Sequence, residues 1–280
     1  AFAPDADVFI QSATDPLLAI EYHRGFTHSL LFAPLGAAVV ASLWLLRPGG
    51  RARWLAIWGC ALAAYDSHCL LDAATSYGTH LLWPFSDLRF GWDLISIIDP
   101  PFTLALGAGL FLALKGRRRR PAVVGLSLAA VYLAFGAIQH ARAIAAQRQV
   151  ASTRGHAPER VEVMPTLANN IIWRSLYVHQ GRIYSDRIRV GWFSRPSVRE
   201  GWSLPLVRED DLTAGENRKN GGRRAFERFQ WFSDSWVARS PDDPTMLGDM
   251  RYSLSTEAFD PIWGIRFAPE NAPTDVIWVN

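Results

Sequence analysis

The sequence predicts an α-helical transmembrane bundle of about four spans followed by a mostly β extramembrane domain. Three observations carry this. Residues 29–46 and 121–138 are apolar runs without a charge, each about as long as a bilayer-crossing helix requires. The basic residues of the first half are bunched in two short loops. Beyond residue 150 the apolar residues come in short runs rich in Trp, Ile, Val, Tyr and Phe, as strands do. The mean hydropathy of +0.03 is therefore an average over two unlike halves.

The first predicted span is 29–46 (SLLFAPLGAAVVASLWLL). The second is 52–74, apolar at first (WLAIWGCALAAY) and then taking up Asp66, His68 and Asp72. The third, 101–114, is short and starts at a Pro-Pro step; the fourth is 121–138. Residues 1–150 hold 12 Lys/Arg, and eight of them sit after spans one and three: Arg47, Arg51, Arg53, Lys115 and Arg117 to Arg120. Alternating spans put both loops on one side, which the positive-inside rule makes cytoplasmic. Residues 1–28, the 75–100 loop and everything after about 140 then face outward. Cys60 and Cys69, nine helical steps apart, lie on opposite faces and about 13 Å apart along the axis, too far to pair.

The second half holds 17 Lys/Arg and 17 Asp/Glu. This neutral balance argues against nucleic-acid binding, and topology accounts for the Arg117–Arg120 run. Strands are expected at 171–178, 182–193, 226–238, 250–254 and 262–267, with a turn at Gly221-Gly222 and a polar loop over 208–224. The domains are thus 1–150, helical and transmembrane, and 151–280, mostly β and extramembrane. The chain opens at Ala1 without Met and reads as the continuation of a longer segment.

Chemistry-bearing residues gather at one level of the first half. They are Asp5 and Asp7 in PDAD, His23, Arg24, Thr27, His28 and Ser29 in HRGFTHS, and Asp66, His68 and Asp72 on span two, with His80 beyond. His68 and Asp72 are spaced i,i+4, so they share a helical face and reach one divalent ion together. Asp66 joins that site only from the flank. Arg24 has the forked geometry of an anion clamp and equally that of an interfacial anchor. Thr27 or Ser29 serves in catalysis or caps span one. Asp5 and Asp7 taken alone are ordinary turn chemistry. If span one runs inward from Ser29 and span two returns outward through Asp72, the clusters meet at one membrane face. Two or three His with several carboxylates suit Zn²⁺, Mn²⁺ or Fe²⁺, one ion or two, and hydrolytic chemistry. His80 and His140 lie within reach of the site or the interface, whereas His156 and His179 read as surface or packing residues. The Trp-rich stretch 83–101 reads as an interfacial lid or a simple re-entry loop.

These pieces resemble the YdjM-type family of bacterial inner-membrane proteins, which are described as metal-dependent hydrolases. The matching segments are PDAD at 4–7, HRGFTHS at 23–29, DSHCLLDAATSYGTHLLWPFS at 66–86 and IIDP at 97–100, with NNIIWR at 169–174 and LGDMRY at 247–252. The resemblance implies metal-binding roles for Asp5, Asp7, His23, His28, Asp66, His68 and Asp72. It also implies an inner-membrane location, and an upstream apolar helix with a Thr-His pair that this chain does not contain. The expected function is membrane-bound hydrolysis of an ester or phosphoester in an amphipathic, phospholipid-like substrate by a metal-activated water, Zn²⁺ being the first choice of ion. Asp66, His68, Arg24 and Thr27 would form the catalytic set. The competing expectation is a non-enzymatic membrane scaffold or envelope-stress protein, with a structural metal site and a β domain that binds a protein partner.

Overall fold

A computed structural model describes residues 1–47, 51–217, 221–253, 255, 258–268 and 276–279. The expected strand 250–254 and polar loop 208–224 each include residues outside this set. The chain divides into two compact units. The first comprises residues 1–92, 212–235 and 265–278; the second comprises 93–211, 236–264 and 279–280.

In the first unit, 3₁₀ turns at Pro4–Phe9 and Phe26–His28 flank helix α1 (Leu18–Tyr22). Helix α2 (Ala33–Ser42), prolonged by a 3₁₀ turn over Leu43–Leu46, then packs on α3 (Trp54–Ala73). The small residues of α2 make this contact. Ala33, Gly36, Ala37 and Ala41 are buried, and a Cβ at Gly36 would lie 2.5 Å from the Tyr65 ring. Tyr65, Cys69 and Ala73 of α3 complete this core with Ala33 and Leu81.

In the second unit, α4 (Pro100–Gly116) and α5 (Arg120–Thr153) form an apolar hairpin. Asp99 caps α4 by accepting from Phe102 N (3.2 Å) and ties it to α5 by accepting from the Tyr132 hydroxyl (3.0 Å). The two helices cross at glycines, where a Cβ on Gly125 would lie 2.6 Å from the Ala105 carbonyl. Close backbone approach of this kind is how helices associate in lipid.

Of the four expected spans, α5 alone among the described helices is long and apolar enough to cross a membrane as one piece. Only 17% of its most apolar window is buried, whereas a soluble core helix would be mostly covered. Helix α4 is apolar but 17 residues long. The first expected span, 29–46, is helical only from Ala33, and its helical part meets the preceding helical segment 18–28 at 85°.

Beyond Ile138, α5 changes partner. Its Ala143 and Ala146 pack against Val163, Trp173, Ile188 and Val190 of an antiparallel sheet ordered β1 (Arg160–Pro165), β2 (Ile172–His179), β3 (Arg182–Arg189), β4 (Ser197–Pro205). The buried Gln147 amide donates to Glu162 O, Ser175 Oγ and Leu176 O, and the His140 ring stacks on Trp173. The β2–β3 hairpin turns through Gln180 and Gly181, both at positive φ, as a two-residue hairpin requires. The expected strand at 171–178 corresponds to β2, and that at 182–193 to β3, which ends at Arg189 and leaves 190–193 in the connection to β4.

The expected strand at 226–238 and the Gly221-Gly222 turn require correction. After a one-turn helix α6 (Ala214–Asn217), residues Gly221–Phe232 form helix α7. The buried positions Gly222, Ala225, Phe226, Phe229 and Phe232 recur at helical spacing, and that period outweighs the aromatic content that favours a strand. The polar loop expected over 208–224 is correspondingly interrupted by α6 and the start of α7. Strand β5 (Val237–Arg239) then pairs antiparallel with β6 (Met246–Asp249), and two further strands, β7 (Gly264–Phe267) and β8 (Val276–Val279), follow, so the 262–267 strand is present as β7.

Helix α7 is tied to the start of the chain by Arg228. Its guanidinium grips Asp15 at 2.9 and 3.0 Å and also takes both oxygens of Glu21. The hydrogen bonds from Arg228 hold the Asp15 carboxyl below its ordinary range.

Two outcomes follow from these contacts. Gly125→Leu should destabilise the protein in detergent by about 1–3 kcal/mol, because backbone leaves its side chain no room; an unchanged thermal midpoint would show that α4 and α5 do not cross there. Asp15→Asn should cost about 0.5–1 kcal/mol at neutral pH, the scale of a partly exposed ion pair. Because the folded-state pKa of Asp15 is depressed, that difference should be present at neutral pH and fade as pH falls below about 4. Denaturant unfolding of both proteins at neutral and acid pH reads it.

Candidate metal centre

The centre is assembled by three segments of the first unit. The Pro4–Phe9 turn presents Asp5 and Asp7, the HRGFTHS turn presents His23 to His28, and the C-terminal end of α3 presents His68 and Asp72. Proline at the first position starts the Pro4–Phe9 turn. Arg24 at φ 56° reverses the chain so that His23 and His28, five apart, address the same carboxylate.

Asp7 is that carboxylate, with its side chain fully sealed from solvent. One oxygen pairs with His23 Nδ1 at 3.0 Å. The other accepts from Arg24 N at 2.9 Å and Thr27 Oγ1 at 3.0 Å, and lies 3.3 Å from His28 Nδ1. Burial alone would raise its pKa, but the hydrogen bonds and charges of His23 and His28 prevail and hold it well below the carboxylate range.

With Nδ1 of His28 engaged by Asp7 and Thr27, its Nε2 points to the opposite side. There it meets Asp72 Oδ2 at 3.1 Å and Asp5 Oδ1 at 3.5 Å. His68 Nε2 reaches the same two oxygens at 3.4 and 3.2 Å. The donor atoms of Asp5, His28, His68 and Asp72 all lie within 4.8 Å of one another. Bonds of about 2.1 Å around a tetrahedral ion space its donors about 3.4 Å apart, which matches these separations. His28 Nε2, His68 Nε2 and Asp72 Oδ2 are buried without a hydrogen-bond partner. Three buried polar atoms that face one another at 3.1–3.4 Å without a hydrogen bond are costly unless something binds between them. A carboxylate behind a ligating imidazole, as Asp7 stands behind His28, is the usual support for a bound metal.

The sequence-selected residues therefore separate into layers. Asp5, His28, His68 and Asp72 converge. Asp7, His23 and Thr27 stand behind them. Asp66, two positions and about 200° round the helix from His68, lies outside the converging group. The Arg24 guanidinium is turned inward: it donates to Thr75 Oγ1 (2.8 Å) and Asp72 O (3.2 Å), lies 3.3 Å from Asp72 Oδ1, and rests over the Tyr77 ring. His80 donates its backbone N–H to Arg24 O and stacks its ring on Trp231. Ser29 Oγ donates to Trp83 O, and His156 pairs with the Tyr177 hydroxyl in the second unit.

Two participants escape sequence reading. Tyr65 donates to the Thr27 carbonyl at 2.7 Å and so bolts the HRGFTHS turn to α3. Tyr77 meets the His23 ring edge-on. The only sequence signal for Tyr65 is its i,i+4 spacing to Cys69 and Ala73 on the packed face of α3.

No solved structure matches the chain. "Inner membrane protein YbcI" of Escherichia coli (strain K12) is 37% identical over 112 residues, which cover 38% of this chain and 61% of that protein. The chain thus matches less than two thirds of this relative's length. The family described as "YdjM inner membrane protein" matches residues 1–143, a stretch that contains every member of the converging group. With more than half of its length matched, the chain belongs to the YdjM inner membrane protein family.

Proposed function

We propose that this protein is a membrane-bound, metal-dependent hydrolase acting on an ester or phosphoester of an amphipathic, phospholipid-like substrate. One observation carries the reading: four ligand atoms converge at tetrahedral spacing, three of them buried and without a hydrogen bond. His28, His68, Asp72 and Asp5 would hold the ion. When bound, a divalent ion supplies Lewis acidity and lowers the pKa of water in its shell. Zn²⁺ suits two imidazoles with two carboxylates, and Mn²⁺ and Fe²⁺ are the alternatives.

The chain's own residues supply the rest. Asp7 fixes the tautomer and aim of His28, and Thr27 keeps Asp7 in register. Arg24 is a positioning residue that braces Asp72 from behind. Asp5 is the most exposed of the four, at 36%, so solvent and substrate reach the site from its side. His23, 28% exposed, is held by Asp7 behind the ligand set and completes its polar support. In this reading the spans are 29–46, 52–74, 101–114 and 121–138, with the Arg-rich loops cytoplasmic and the centre at the outer, periplasmic face.

A second reading rests on the same geometry. Four protein ligands close a tetrahedral shell, as in structural sites, which would make the protein a non-enzymatic scaffold. The exposed Asp5 edge favours the first reading.

Elemental analysis of detergent-purified protein should find about one equivalent of metal, lost in a folded His68→Ala variant. Asp7→Asn, which touches no ion directly, should weaken metal affinity by about 10–100-fold. Zn²⁺- or Mn²⁺-loaded wild type should hydrolyse short-chain phospholipid or bis-aryl phosphodiester, and His68→Ala should not. Stoichiometric metal without turnover would favour the structural reading; no metal after reconstitution would end both.

A further inference from the structure

The sheet of the second unit meets α5 where its apolar run ends. Gln139, the first residue beyond that run, is fully buried and donates to Val190 O at 2.9 Å. Val190 opens the β3–β4 connection, which runs on through Gly191-Trp192-Phe193-Ser194-Arg195-Pro196. Phe193 is 99% exposed and Trp192 54% exposed. Two aromatic side chains held into water on the seven-residue connection 190–196 are a liability unless something apolar covers them.

The connection is not loose. The Arg142 guanidinium, one turn beyond Ile138 on α5, donates to the carbonyls of Gly191 (2.9 Å), Trp192 (3.3 Å) and Ser194 (2.5 Å). The Trp192 ring meets Phe135, which lies within the apolar run, at 5.8 Å. The aromatic pair is therefore fixed at the depth where the lipid-facing surface of α5, exposing Leu128, Val131 and Ile138, comes to its end. Basic side chains bracket the pair: Arg189 before it and Arg195 after it, both exposed. Aromatic rings at the acyl boundary with basic groups reaching outward to phosphates are the composition of a membrane interface.

We infer that the Trp192-Phe193 tip is a lipid-binding surface, inserted at the headgroup–acyl boundary of the same bilayer that α5 crosses, so that the β1–β4 sheet is seated on the membrane. The occupant is the bilayer itself, because the tip is continuous with the lipid-facing side of α5. Seating the sheet rests on the reading of α5 as a span, and the test separates the two.

Spin labels placed singly by Phe193→Cys, Leu128→Cys and Ser152→Cys, in a Cys60→Ala background, would be read in nanodiscs of mixed zwitterionic and anionic phospholipid holding one copy each. Cys69 is fully buried and stays. Phe193 is exposed, so its replacement removes no core contact. Ser152 lies about 20 Å further along α5 than Ile138 and reports the aqueous value. Collision with oxygen relative to a water-soluble nickel chelate should be severalfold higher at 193 than at 152, approaching that at 128. A value at 193 equal to that at 152, with 128 still lipid-like, overturns the seating alone. A water-accessible 128 overturns the span and the seating with it.

Discussion

Asp7 accepts hydrogen bonds from one short stretch of chain, and the candidate centre depends on that convergence. A carboxylate with no solvent access is stable only if its lone pairs are filled. The groups that fill them are His23 Nδ1, Arg24 N and Thr27 Oγ1, with His28 Nδ1 close by. Satisfying the carboxylate therefore folds HRGFTHS into one shape, with Arg24 at positive φ, and turns His28 Nε2 away from Asp7 toward α3. Tyr65 locks the result in place through the Thr27 carbonyl. The cost of burying one charge thus becomes the rigidity of a site built largely on turns.

The second unit solves a different problem with one long helix. Until Ile138, α5 presents apolar side chains outward and glycine inward, toward α4. From Gln139 onward it presents alanines to a sheet and buries the Gln139 and Gln147 amides, which donate to backbone carbonyls. Lipid demands an apolar exterior with backbone polar groups satisfied within the helix. A sheet with its own side chains to bury demands small residues facing it. The same helix meets both conditions because the residue pattern switches within one turn.

Much of this was legible in the residues. The paired β2 and β3 follow from their β-branched and aromatic content, the limits of α4 and of the apolar part of α5 follow from charge-free runs, and α3 follows from an apolar run that takes up Asp66 and Asp72 toward its end. The i,i+4 spacing of His68 and Asp72 places both on one helical face before any coordinates. Residues 226–238 misled because Phe and Trp favour strands, while the positions that are buried recur with helical period. Residues 29–46 misled differently. Ser29 spends its side chain on Trp83 O and Leu31 N, and Pro34 suits a helix start, so the helix begins at Ala33 and the preceding segment turns away from its axis.

Local pattern thus decided which segments are helix, strand and lipid-facing surface, and which residue types carry chemistry, because period, charge and length are properties of neighbours in sequence. It could not rank seven candidate ligands. Asp5 and Asp7 differ by two positions in one turn, yet one faces the shared donor set and the other stands behind His28. Arg24 reads as an anion clamp or an interfacial anchor, and only the fold places its guanidinium beside Asp72. Those roles depend on distances between segments more than 60 residues apart, and only the packing of α3 against the two N-terminal turns sets them.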